Sequence, residues 1–78
     1  MDNSDFRNWL IDVKKYKDRS AADVISRVNR IKGFIILSEK IDDNVISLLN
    51  ENSEFKQLSG SVRSQLRRAL NLLKEYND

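Results

Sequence analysis

Histidine and cysteine are both absent from these 78 residues. Without histidine the chain lacks the commonest general base near neutral pH and the commonest transition-metal ligand. Without cysteine it can form neither a disulfide nor a thiolate metal site, and a reducing compartment suits it. Proline is missing too, and glycine occurs only at Gly33 and Gly60, so little interrupts a regular backbone. The longest purely apolar run, Phe34-Ile35-Ile36-Leu37, falls far short of the roughly 20 residues that span a bilayer. The opening Met-Asp-Asn-Ser-Asp is acidic and polar, unlike a secretory leader. These exclusions point to a soluble cytoplasmic chain with no membrane partner.

Catalysis finds no support in what remains. There is no nucleophile paired with a base, no glycine-rich phosphate loop and no obvious carboxylate pair. The acidic group Glu39, Asp42, Asp43, Glu51 and Glu54 lacks the spacing and the glycine of a calcium loop. Helix capping and solubility account for it better, so no metal and no cofactor is expected. The expectation is a non-enzyme.

Charge and helical rhythm are what the chain does have. Charged residues make up 33% and hydrophobic ones 40%, a balance typical of a small soluble globule. Lysine and arginine outnumber aspartate and glutamate by only 14 to 12, so the placement of charge matters more than its total. Valine and isoleucine recur at helical spacing and never in strict alternation, which predicts an all-α chain.

One domain, residues 1–78, is expected as a compact SAM-like bundle of four or five helices. The first helix opens near Asn3 or Ser4, carries Phe6, Trp9, Leu10 and Val13 on one stripe, and ends near Tyr16. Ser20-Ala21-Ala22-Asp23 has the form of a capping box opening the second. Ala21, Val24, Ile25, Val28, Ile31 and Ile35 share its apolar face, with Gly33 as a C-cap or a bend. Asp42 or Asp43 caps a third helix bearing Val45, Ile46, Leu48 and Leu49, and Phe55 and Leu58 suggest a short helical turn. The last helix follows Ser59-Gly60-Ser61, with Val62, Leu66, Ala69, Leu70, Leu73 and Tyr76 as its core stripe. Trp9 belongs to the core, while Tyr16 either covers the bundle end or reaches outward with its hydroxyl.

Two basic features stand outside this apolar pattern. On the last helix Arg63, Arg67, Asn71 and Lys74 fall in one sector, with Arg68 further round and no acidic residue between them. Guanidinium forks and an amide suit phosphates and base edges, although a solvated basic face has the same composition. The second feature is the turn into the second helix. Lys14, Lys15, Lys17 and Arg19 surround a helix start at Ser20, an arrangement that favours anions. Arg27 and Arg30 continue it along the polar side. Asp23, four residues before Arg27, is spaced to pair with it and offset part of that charge.

With these features the chain resembles the N-terminal SAM-like, or core-binding, domain of phage integrases and related tyrosine recombinases. The resemblance rests on "FRNWL", on the basic turn running into "RSAADVISRVNRI", and on "LSGSVRSQLRRALNLLKEY", and it covers about residues 5 to 76. Ser20 stands where the family starts its second helix with Thr or Ser; Val24 stands where the family has an aromatic. The resemblance implies double-stranded DNA as the partner, clamped by Arg19, Ser20, Arg27 and Arg30 and by Arg63, Arg67 and Arg68. The recombinase catalytic residues belong to a separate domain and have no counterpart in this sequence. Two further readings stay open: a protein-interaction domain, homodimeric or docking a larger partner through Leu72, Ile11, Ile36 and Leu37, and a purely structural domain.

Overall fold

The computed structural model describes residues 3–37 and 41–77. Over those residues the chain is an all-α bundle of five helices with no strand: α1 (Asn3–Asp12), α2 (Asp18–Ile31), α3 (Asp43–Glu51), α4 (Ser53–Lys56) and α5 (Gly60–Asn77). Met1, Asp2, Glu39 and Asp78 lie outside the described residues. The longest helices, α2 and α5, pack on each other, and α1 lies against both.

The core is wholly apolar among the described residues. Phe6 and Leu10 enter it from α1, Ala21, Val24, Val28 and Ile31 from α2, and Val45 and Leu49 from α3. Ile41 and Phe55 are buried with them. The rings of Phe6, Trp9 and Tyr76 form a cluster with centroids 5.3 to 6.1 Å apart, the offset and edge-on spacing that aromatic quadrupoles favour. This ties the start of α1 to the end of α5. Phe34, in the α2–α3 connection, meets Phe55 of α4 edge-on at 6.3 Å.

Helix α1 ends four residues earlier than its apolar stripe predicts. Lys15 takes the left-handed conformation, φ 61°, and the Tyr16 amide then donates back to the Leu10 carbonyl at 3.0 Å. The sharp reversal leaves Val13 59% exposed instead of in the core. A side chain at positive φ carries a steric cost that glycine would not.

Nor does Ser20 cap α2. The helix begins at Asp18, with Lys17 as N-cap and no side-chain capping bond, so Ser20 and Asp23 lie within the helix and form no capping box. Asp18 explains the earlier start: a carboxylate in the first turn faces the positive end of the helix dipole and pairs with Arg7 of α1 at 3.4 Å. The Ala21 amide already donates to the Lys17 carbonyl.

At its other end α2 stops at Ile31, with Lys32 as C-cap, and the Gly33 amide bonds the Arg30 carbonyl in the turn that follows. Ile36 is left 93% exposed. Asp42 caps α3, its carboxylate accepting from the Val45 amide at 3.1 Å. Asn52 serves two helices. It is the C-cap residue of α3, its Oδ1 accepts from the Phe55 amide at 3.0 Å, and its Nδ2 donates to the Phe34 carbonyl at 3.1 Å. Ser59 Oγ accepts from the Val62 amide and so opens α5.

Helix α5 is buried more widely than its core stripe predicts. Leu66, Ala69, Leu70 and Leu73 are buried as expected, Val62 and Tyr76 at the two ends of the stripe are only half-buried, and Leu72 is buried too, at 8% exposure. At about 100° per residue the arc from Leu72 to Leu70 spans about 160°, wider than the roughly 100° stripe of an ordinary surface helix. Packing of α2 along that flank covers Leu72. Ile11, the other residue placed off a core stripe, is half-buried against the same core.

Candidate functional site

The α2–α5 contact leaves a cleft of about 250 Å³ along one edge. Its floor is Val24 of α2 with Ala69 and Leu72 of α5. Ala69 is the smallest core residue on this face of α5, and its short side chain gives the cleft depth. Above the floor α2 contributes Ser20, Asp23 and Arg27, α5 contributes Gln65 and Arg68, and Tyr16 closes one end. Tyr16 and Ser20 also line an adjoining, more open hollow together with Lys15 and Lys17.

This geometry joins the two basic features, but only in part. Arg27 and Arg68, from different helices, share one cleft, and neither makes an ion pair among the described residues. Asp23 is the single acidic residue lining the cleft, yet it does not close an ion pair with Arg27 as the four-residue spacing suggests. Lys15 and Lys17 stand at the mouth, in the hollow beyond Tyr16.

The remaining basic residues point elsewhere. Arg19 and Arg30 are exposed on α2 and do not line the cleft. Lys14 is held by both carboxylate oxygens of Glu75 at 3.1 Å and lies 5.9 Å from the Trp9 ring centre. The stripe read along α5 is divided. Arg67 turns towards α3, where Nη1 donates to Asn50 Oδ1 at 3.4 Å. Lys74 pairs with Asp43 at the start of α3, at 2.9 Å. The stripe is therefore not free of acid: Asp43 is distant in sequence and adjacent in the fold. Arg63 is half-buried on the same flank, with its Nε lacking a hydrogen-bond partner. Asn71 is exposed on the outer face.

Gln65, Ala69 and Leu72 of this site are missed when α5 is read only for charge. Gln65, Arg68, Ala69 and Leu72 recur at three- and four-residue steps, so they mark one edge of the helix. What the spacing cannot supply is that α2 flanks that edge.

Two guanidiniums beside a hydroxyl, an amide and a phenol can bind a phosphate in bidentate fashion and hydrogen-bond whatever is attached to it. No group of three acidic residues that could hold a metal ion occurs among the described residues, and no described helix is long and apolar enough to cross a membrane. The chain matches no protein-family model, no curated protein and no solved structure.

Proposed function

We propose that this protein is a non-catalytic DNA-binding module that grips the backbone of duplex DNA through the α2–α5 cleft and its mouth. The observation that carries the proposal is the convergence of Arg27 and Arg68, from two helices, on one cleft without a carboxylate partner. Lys15 and Lys17 extend the positive surface beyond Tyr16. Lysines supply sequence-independent attraction to phosphates, and arginine forks fix the register. The resemblance to core-binding domains of phage integrases agrees in kind of partner, and on that comparison a catalytic domain would have to come from elsewhere.

The split of the α5 stripe narrows the binding set. Arg67 and Lys74 are engaged on the α3 side and Arg63 does not line the cleft, so the cleft residues should carry more of the affinity than Arg63 and Arg67 do. The test is fluorescence anisotropy with a labelled mixed-sequence duplex at low salt. Replacing Arg27→Gln and Arg68→Gln together should weaken binding about tenfold or more. Arg63→Gln with Arg67→Gln should cost clearly less, and Asp23→Asn should strengthen binding by removing the only acid in the cleft. Equal losses from the two arginine pairs would remove the cleft from the account, and no binding by the parent protein would end it.

A protein-interaction role has one observation in its favour, the 93% exposure of Ile36. Leu48 is 56% exposed, one helical turn before Asn52, and Asn52 hydrogen-bonds Phe34 two residues before Ile36. Buried Leu72 no longer belongs to that surface. On this alternative, molecular mass measured by light scattering rises with concentration, and Ile36→Glu abolishes the rise.

A further inference from the structure

Phosphate contacts alone do not account for the shape of the cleft. A backbone grip needs only cations within reach of phosphates, whereas here Ala69 opens a recess with an apolar floor of Val24 and Leu72. Its volume, about 250 Å³, is of the order of one nucleotide. Tyr16 is half-buried and lines both the cleft and the hollow beyond it. Unlike Trp9 and Tyr76, it stacks on no other ring among the described residues. Asp23 and Gln65 face the same space, and carboxylate and amide groups are the side-chain partners of base edges.

Resting on the DNA-binding reading above, we propose that the α2–α5 cleft seats one unpaired nucleotide of a strand. The base lies against the Tyr16 ring over the apolar floor, and its phosphate sits between Arg27 and Arg68. Asp23 and Gln65 meet the base edge. Stacking on a tyrosine is tolerant of base identity because every base has a π face, so the site selects an unpaired position first, and the base-edge contacts of Asp23 and Gln65 add a lesser preference among bases. The protein accordingly favours DNA with a bulged or frayed nucleotide over a flush duplex.

The experiment compares two labelled hairpins that differ only in one bulged position, filled by a fluorescent adenine analogue. The expected result is about tenfold tighter binding of the bulged hairpin, the scale of one base–aromatic stack, with a change in analogue emission on binding. Tyr16→Leu removes the stacking ring while keeping an apolar side chain. Ser20→Leu, at an exposed position on the cleft wall, narrows the cleft with a side chain that carries no ring and serves if Tyr16→Leu fails to fold by circular dichroism. Either folded variant should reduce the preference to within about twofold. Equal affinity for both hairpins overturns the inference and leaves the duplex-binding proposal standing. A preference that survives in the folded variants also overturns it, since the bulge is then held elsewhere. Binding to neither hairpin overturns both proposals together.

Discussion

Replacing Leu72 by alanine isolates the consequence of the wide buried arc on α5. Leu72 is 8% exposed, and the substitution removes three carbons from under the flank of α2. At about 0.8 kcal/mol for each buried methylene the transfer loss is about 2 kcal/mol. Little is added for a cavity, because the space left behind opens into the α2–α5 cleft instead of being sealed. Leu73, one residue on, is fully buried at the centre of the core. Leu73→Ala leaves a closed void and should cost about 3 to 4 kcal/mol. In a domain of this size 1 kcal/mol moves Tm by about 4 to 8 °C. Leu72→Ala should therefore lower Tm by roughly 8 to 16 °C and Leu73→Ala by more. Thermal unfolding followed by circular dichroism at a fixed protein concentration measures both. A loss below about 0.5 kcal/mol for Leu72→Ala, the usual range for a surface site, would mean that α2 does not cover Leu72. The packing that creates the cleft would then be wrong.

Two further substitutions test the connections that set the helix positions. Asn52→Ala removes an acceptor for the Phe55 amide and a donor to the Phe34 carbonyl; urea unfolding should show a loss of about 1 to 2 kcal/mol with the m-value unchanged. Lys15→Gly relieves the left-handed backbone that ends the α1 turn and should stabilise the fold by about 0.5 to 1 kcal/mol in the same assay. The Lys14–Glu75 pair, whose side chains are 31% and 54% exposed, should contribute no more than about 1 kcal/mol in a double-mutant cycle, and less at high salt.

Much of this fold can be read from apolar spacing. The existence of the helices, the short turn at Phe55 and the burial of Leu66, Ala69, Leu70 and Leu73 on α5 follow from three- and four-residue recurrence. The misreadings cluster where a tertiary contact overrides a local signal. Ser20 has the right neighbours for a cap, but the reversal at Lys15 and the Arg7–Asp18 pair let α2 start at Asp18. Val13 fits the α1 stripe, yet the chain turns away before it can be buried. Leu72 looks free because α5 seen alone gives no hint that α2 lies along its flank.

The basic residues behaved in the same way. Their positions on each helix were legible, since angle follows from spacing. Their pairing was not. Asp43 meets Lys74 from 31 residues away, and Glu75 meets Lys14 from 61. No local pattern reports such contacts. The convergence of Arg27 with Arg68 is of this kind, and it is the feature on which the functional proposal depends.

The most direct measurement of that proposal is the salt dependence of binding to a labelled mixed-sequence duplex, followed by anisotropy. Four cations, Lys15, Lys17, Arg27 and Arg68, line the cleft and its mouth. If each neutralises one phosphate, log K against log salt should fall with a slope of about −3 to −4, and Arg27→Gln with Arg68→Gln should reduce that slope by about 2. Absence of binding at low salt, or a slope unchanged in the double variant, would contradict the cleft as the DNA-binding surface.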